Sequence, residues 1–175
     1  PGLGEYYHSG RETGRQKSPS EYAQDLVEFM DDLHEQYENR VFYIFLDPSA
    51  KGLAEEVRRA TRAKQLDYQV ILKDAENDVA LGISRVQKAL CFDIMSVSPK
   101  QENAVREFGT YEYDKKSIEK GKEVPVKEDD HCMDAIRYVV MGAWHILKRW
   151  LPKDEIEEID VCDISRKEVE DDEYL

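Results

Sequence analysis

Apolar and polar residues alternate along the chain with two periods, one typical of helices and one typical of strands. Residues 18–39 predict a long helix, because Ser18 and Glu21 form a capping box and Pro19 occupies the first helical position. The spacing of its large apolar residues predicts one buried stripe, formed by Tyr22, Leu26, Phe29, Leu33 and Tyr37. The same spacing predicts further helices over 53–65, 77–91, 99–107 and 130–150.

Runs of apolar and β-branched residues mark the predicted strands. Residues 41–46 are apolar at every position, which predicts a strand covered on both faces, and residues 68–72 predict a second strand. Shorter strands are predicted over 5–8, 92–95 and 108–113. Because strands and helices alternate, we predict an α/β fold, with a mixed sheet that carries helices on both faces.

Charge divides the chain into two parts. The net charge of -13 argues against a protein that only coats DNA. Residues 153–175 include 11 acidic and three basic residues, so most of the net charge lies at this end. We therefore expect one domain over 1–151 and an acidic C-terminal tail over 152–175.

Several classes of protein lack their sequence signals here. Cys91, Cys132 and Cys162 form no C-x-x-C pair, which argues against a zinc site or a disulfide framework. No apolar run reaches the ~18 residues of a membrane span. The phosphate-loop motif G-x-x-x-x-G-K-[ST] and the G-x-S-x-G elbow are both absent from the sequence, so ATP binding by this chain is not supported.

Asp47 is the first candidate for a functional residue. It directly follows the apolar strand over 41–46 and precedes Pro48 and Ser49. Ligands of open α/β sheets bind at the carboxyl ends of the strands, so a carboxylate at this position would lie at a binding edge. The alternative is that the Asp-Pro-Ser segment only caps the following helix.

The start of the last predicted helix provides the other candidates, His131 and Asp134, with Asp129 or Asp130 as the expected cap. His131 and Asp134 are three positions apart and therefore share a face. The buried side of the helix is predicted to consist of Met133, Ile136, Val140 and Ala143. Asp134 either serves the helix dipole or binds a metal, and His131 is a ligand, a proton carrier or a surface histidine.

The two acidic positions are more specific together than separately. Carboxylates on different elements, one of them with a histidine nearby, suit hard cations such as Mg²⁺ and Mn²⁺. Two such ions about 4 Å apart activate a water and stabilise the leaving oxygen in phosphodiester cleavage. Asp47, Asp134 and His131 are therefore the predicted catalytic and metal-binding residues.

Four segments of the chain carry a resemblance to a known family. In chain order they are EYYHSGRETGRQKSPSEYAQDL, FLDPSAKGLAEEVRRA, AENDVALGISRVQKAL and EDDHCMDAIRYVVMG. Over about residues 5–150 the chain resembles the C-terminal nuclease domain of the large terminase subunit of tailed double-stranded DNA bacteriophages. The pattern D-H-x-x-D-A-[IL]-R-Y, with a strand and D-P-S upstream, is fairly specific in combination.

The resemblance implies a ribonuclease H-like fold and an endonuclease that uses two ions, Mg²⁺ or Mn²⁺, to cut concatemeric viral double-stranded DNA during genome packaging. It implies that Asp47 is the acid at the end of the central parallel strand, that Asp134 is the acid on the last helix, and that His131 lies beside the metals. The implied partners are the terminase ATPase domain, the small terminase subunit and the portal protein, in the host cell cytoplasm without a membrane.

One position of the family pattern has no counterpart here. The family's first catalytic aspartate lies on the first strand of its sheet, but only Pro1 to Gly4 precede the first matching segment. We assign no residue to that role, and we expect the opening strands upstream of residue 1.

Other functions remain open at this point. One alternative is another ribonuclease H-like nuclease, such as a resolvase or transposase. Another is a non-catalytic docking module of the packaging motor, which the acidic tail and the unassigned aspartate favour. Two basic segments, 11–17 and 115–127, lie in predicted loops and either guide DNA towards Asp47 and Asp134 or are ordinary solvated loops.

Overall fold

The computed structural model of the protein describes residues 1–156, in which helices surround a short parallel sheet. The elements in chain order are α1 (Gly10–Thr13), α2 (Pro19–Tyr37), β1 (Val41–Leu46), α3 (Lys51–Ala63), β2 (Gln69–Asp74), α4 (Val79–Cys91), α5 (Glu102–Thr110), α6 (Lys115–Ile118), α7 (His131–Leu147) and a 3-10 turn (Lys148–Trp150). Residues 153–156 are helical again, and most of the predicted acidic tail lies outside the described residues.

The sheet of the described region consists of β1 and β2, which run parallel with α3 as the crossover between them. Val41 pairs with Gln69 at the start and Leu46 with Asp74 at the end. Both strands therefore finish at the same edge, where Asp47 follows β1. The predicted α/β class is confirmed.

One face of the sheet is covered by α2 and α3. The capping box of α2 forms as predicted, with Ser18 and Glu21 exchanging side-chain and backbone hydrogen bonds and Pro19 in the first turn. A buried cluster of Val27, Met30 and Tyr68 packs there against Phe42 and Ile44 of β1. These two residues alternate with those that point to the opposite face, as the period of a strand requires.

The opposite face of β1 contacts α7 through Phe45. A Cβ placed on Gly142 would lie only 2.0 Å from the Phe45 ring, so glycine is what permits this close approach. Tyr43 points the same way and is 55% exposed. Helices thus pack on both faces of the sheet, as predicted, although Val41 and Tyr43 of β1 stay exposed.

The short strands predicted over 5–8, 92–95 and 108–113 are not found within residues 1–156. Residues 108–110 continue α5, which begins and ends three residues later than the helix predicted over 99–107. The segment over 5–8 makes side-chain bonds instead of a strand ladder: Tyr6 donates to Asp25, and Glu5 accepts from amides of α5. Alternating aromatic residues were a misleading signal here, because tertiary contacts decided the backbone conformation.

The fully buried residues of α2 are not the large ones that sequence spacing selected. In α2 the buried residues are Ala23, Val27 and Met30, and Tyr37 is 38% exposed. In α4 they are Gly82, Arg85 and Ala89. On α7 the prediction was better, since Met133 and Val140 are buried. None of the helices described here is long and apolar enough to cross a membrane.

Candidate active site

Asp47 lies at the carboxyl end of β1 in a tight Asp-Pro-Ser turn. Its Oδ1 atom accepts hydrogen bonds from the backbone N–H of Ser49 at 2.8 Å and from the Ser49 hydroxyl at 2.5 Å. These bonds, together with one from Tyr138, hold the pKa of Asp47 below its ordinary value. The cap of α3 is Ala50, with no side-chain cap bond, so helix capping does not explain Asp47.

Tyr138 joins Asp47 to α7. Its hydroxyl donates a 2.8 Å hydrogen bond to Oδ2 of Asp47 and lies 3.5 Å from Oδ1 of Asn77. Burial and the neighbouring carboxylates raise the pKa of Tyr138, so the phenol keeps its proton for donation at neutral pH. Asn77 follows β2 by three residues, which places it at the same sheet edge as Asp47.

Arg137 continues this network to Asp134. Both terminal nitrogens of its guanidinium donate to Oδ1 of Asn77 at 3.2 Å, and Nη2 donates to Oδ1 of Asp134 at 2.7 Å. The side chain is 2% exposed. Its aliphatic stem packs on Gly82 of α4, where a Cβ would lie 2.4 Å from Cγ of Arg137.

Asp47 and Asp134 therefore lie at the two ends of one polar network, in the order Asp47, Tyr138, Asn77, Arg137, Asp134. The single hydroxyl proton of Tyr138 goes to Asp47, and its oxygen lies close to Asn77. The sequence identified the two carboxylates at its ends. It did not identify the three residues between them, although Arg137 and Tyr138 fall within the D-H-x-x-D-A-[IL]-R-Y pattern and Asn77 lies shortly after a predicted strand.

Lys127 lies between two carboxylates at the Asp134 end of the network. Its Nζ atom is 3.5 Å from Oδ2 of Asp130 and 3.7 Å from Oδ2 of Asp134. The Asp130 side chain is 10% exposed and that of Asp134 is 26% exposed. Both oxygens of Asp134 thus face a cationic side chain, Arg137 on one side and Lys127 on the other.

His131 is less closely integrated than predicted. It is exposed on the first turn of α7, and no hydrogen bond or ion pair to its ring is found within the described part of the chain. Its part in the site stays a prediction.

The donor atoms at this edge suit a hard cation, but the set is incomplete. Asp47, Asp134 and Asn77 offer oxygen atoms, the ligands that Mg²⁺ and Mn²⁺ prefer. Across residues 1–156, however, no group of three His, Cys, Asp or Glu side chains is placed to hold a metal ion. The described residues therefore do not form a closed metal site.

The two basic segments differ in how their cations are engaged. In the first, Arg15 pairs with Glu21 and Lys17 pairs with Asp25, both acids of α2. In the second, Lys115, Lys116, Lys120 and Lys122 are exposed around the short helix α6. An antiparallel bridge between Tyr113 and Pro125 closes the base of this segment.

The fold and the acidic edge define an α/β domain with polar residues at the carboxyl ends of its strands, and comparison with known proteins gives its family. The model of the terminase RNase H-like domain matches residues 49–141, more than half of the chain. The chain belongs to the terminase RNase H-like domain family. The predicted ribonuclease H-like fold and the resemblance to large terminase subunits are both confirmed.

Solved structures of the large terminase from a thermophilic bacteriophage are similar to this chain. The ADP complex matches with a TM-score of 0.68 and 31% sequence identity over 79% of this chain and 32% of that one. The ATP-γ-S complex gives a TM-score of 0.66 at 31% identity, with the same coverage. The chain thus spans about a third of the length of these structures. No curated protein matches it.

Proposed function

We propose that this domain is a divalent-metal-dependent endonuclease that cuts concatemeric viral double-stranded DNA during genome packaging. The observation that carries the proposal is the network that joins Asp47, at the end of β1, to Asp134, at the start of α7. Membership of the terminase RNase H-like domain family supports a role in nuclease action or packaging. The proposal adds the reaction and the residues.

Asp47 and Asp134 would hold the ions, Mg²⁺ or Mn²⁺, with His131 nearby. When bound, a pair of such ions supplies an activated water and charge stabilisation for the leaving oxygen. The protein's own contribution is orientation. Ser49 and Tyr138 fix both oxygens of Asp47, and Arg137 fixes one oxygen of Asp134. Such second-layer hydrogen bonds hold carboxylate ligands in position before an ion arrives.

A further carboxylate would complete the set, and we propose that it is supplied by a strand beside β1. Among residues 1–156, β1 pairs with β2 alone, and its other edge has no strand partner. Val41 is 44% exposed and Tyr43 is 55% exposed on the face that α7 covers only at Phe45. A strand at this edge that runs parallel to β1 would pair with its backbone and end beside Asp47. The domain would act with an ATPase domain, a small terminase subunit and a portal protein, in the host cytoplasm.

The test compares Asp47→Ala and Asp134→Ala with Asp32→Ala, which removes an acid of α2 outside the network. Mn²⁺ binding is measured by calorimetry, and cutting is measured on supercoiled plasmid with Mn²⁺. Asp47→Ala and Asp134→Ala should each weaken binding by about tenfold or more and abolish cutting, while their circular dichroism stays that of the wild type. If either variant cuts DNA at the normal rate, the residue that it replaces does not belong to the active site.

A docking module of the packaging motor is the second candidate, since the described residues do not form a three-ligand metal site. Such a module has no reason to bind Mn²⁺. Calorimetry that finds no binding to the wild-type chain, with or without DNA, would favour docking over cutting.

A further inference from the structure

Glu107 of α5 is a buried acid that the proposed reaction does not use. Its side chain is 0% exposed. Its Oε2 atom accepts hydrogen bonds from two backbone amides of α7, those of Cys132 at 2.6 Å and Met133 at 3.2 Å. These amides lie between His131 and Asp134, the two residues of α7 that the sequence assigns to the site.

This arrangement replaces the usual cap of a helix. The first amides of a helix have no partner within it, and the side chain of the N-cap residue normally accepts from one of them. Asp130 is the N-cap of α7, but its backbone angles, φ -117° and ψ 13°, are not the extended ones of such caps, and its side chain makes no cap bond. The Asp130 carboxylate lies near Lys127 instead. Glu107, 25 positions before Cys132 in the chain, accepts the amides in its place.

The helix that carries Glu107 is itself held by a carboxylate. Oε1 of Glu5 accepts from the backbone amide and the side-chain amide of Asn103, both at 2.8 Å. Oε2 of Glu5 accepts from the amide of Ala104 at 3.1 Å. The N-terminal segment thus anchors α5, and α5 anchors α7.

We propose that Glu107 is a positioning residue, which fixes the first turn of α7 and thereby places Asp134 relative to Asp47. The first amides of α7 need an acceptor, and the buried position of Glu107 excludes the water that would otherwise compete for them. Without it, the first turn of α7 has two unpaired donors and is free to fray. Its effect on metal binding rests on the proposed function, whereas its effect on the helix does not.

The experiment uses the 175-residue chain and the variants Glu107→Leu, Glu107→Met and Glu107→Gln. Glu107→Leu removes both acceptor oxygens and keeps an apolar side chain in the buried space, while Glu107→Gln retains one acceptor oxygen. The control is Val57→Ala, a buried position in α3 that lowers stability without touching α7. Amide hydrogen exchange and Mn²⁺ affinity are measured for each protein.

We expect Glu107→Leu to accelerate exchange at Cys132 and Met133 by about tenfold beyond any change in Val57→Ala, and to weaken Mn²⁺ binding by about fivefold or more. Both amides donate to the same oxygen, so Glu107→Gln, which keeps one oxygen, should exchange at nearly the wild-type rate. Glu107→Met, which keeps the length of the side chain without the acceptor, decides the matter if Glu107→Leu does not fold. Local acceleration in neither Glu107→Leu nor Glu107→Met would overturn the proposal, as would local acceleration with unchanged Mn²⁺ affinity. If the wild-type chain binds no Mn²⁺ but Glu107→Leu or Glu107→Met still shows accelerated exchange at Cys132 and Met133, the metal site is refuted and the helix contact is supported.

Discussion

The hydroxyl of Tyr138 donates a 2.8 Å hydrogen bond to Oδ2 of Asp47, and this bond ties the first half of α7 to the end of β1. The other oxygen of Asp47 is already occupied by Ser49. The carboxylate is therefore held at both oxygens before any ligand binds, and the orientation of Asp47 depends on a residue 91 positions later in the chain.

The change Tyr138→Phe removes this hydroxyl and little else. We expect the Mn²⁺ concentration for half-maximal binding to rise several-fold and the free energy of unfolding to fall by about 1 kcal/mol. Loss of the donor should also move the pKa of Asp47 up towards its ordinary value, because Tyr138 is one cause of its depression. A carboxyl-detected NMR titration measures that pKa. Tyr113→Phe is the matched control, and a Tyr138→Phe protein that matches it in both readouts would contradict the assignment.

The ammonium of Lys127 occupies the space between Asp130 and Asp134, where a divalent cation would compete with it. The change Lys127→Met should tighten Mn²⁺ binding measured by calorimetry. It should also lower the stability of the metal-free protein by up to about 1 kcal/mol, because two carboxylates lose a shared counter-ion. Lys122→Met, on the same segment, should leave both values unchanged. Weaker Mn²⁺ binding in Lys127→Met would show that the lysine assists the metal site.

The exposed lysines around α6 are the candidates for contacts with DNA phosphates. Reversing Lys115, Lys116, Lys120 and Lys122 to glutamate should depress plasmid cutting, with a loss that is largest at low salt, because phosphate contacts are electrostatic. Mn²⁺ binding in the absence of DNA should not change. Unaltered cutting at low salt would leave this segment as an ordinary solvated loop.

Gly142 and Gly109 offer a matched pair of glycine substitutions in helices. Gly142→Ala places a Cβ 2.0 Å from the Phe45 ring and should lower the free energy of unfolding by about 2 kcal/mol or more. Gly109→Ala meets nothing within 4 Å and should raise it by up to about 1 kcal/mol. Urea denaturation measures both. Equal effects of the two substitutions would mean that α7 does not pack on β1 at this point.

The pKa of His34 links stability to pH. Its Nδ1 atom is bonded to the backbone oxygen of Asn39 and its Nε2 atom to Asp67, and these two bonds raise its pKa above the ordinary value of 6.5. A raised pKa stabilises the fold fully below the pKa of the unfolded chain, and this stability is lost as pH rises through the folded pKa. Urea denaturation from about pH 5.5 to about pH 8.5 should show that decline for the wild type. In Asp67→Asn the decline should be shallower, and an unchanged slope would contradict the role of Asp67.

The sequence predicted the elements that carry their own local signals. The long helix after Ser18, the strand over 41–46, its crossover helix and the last helix were all predicted close to their observed positions. Asp47 and Asp134 were identified because each stands at a recognisable boundary, the end of an apolar strand and the start of a helix. Their convergence into one network follows from the parallel register of β1 and β2 and from the close packing of α7 on β1.

The remaining site residues depend on tertiary contacts that leave no local pattern. By sequence Asn77 is only the first residue of a predicted helix, whereas in the structure Arg137 and Tyr138 contact it from α7. Glu107 lies beside a segment whose alternating aromatics predicted a strand, and its burial is evident only once α5 packs against α7. The sequence alone does not distinguish such buried, hydrogen-bonded residues from solvent-exposed polar ones.

The absence of a side chain at Gly82 leaves the space in which the stem of Arg137 packs, and any larger residue would fill that space. The spacing of two helices thereby determines where the guanidinium lies, and the guanidinium donates a hydrogen bond to one oxygen of Asp134. The position of the Asp134 carboxylate at the sheet edge therefore depends on how closely α4 and α7 pack. A design that moves Asp134 would first have to change the contact between Gly82 of α4 and Arg137 of α7.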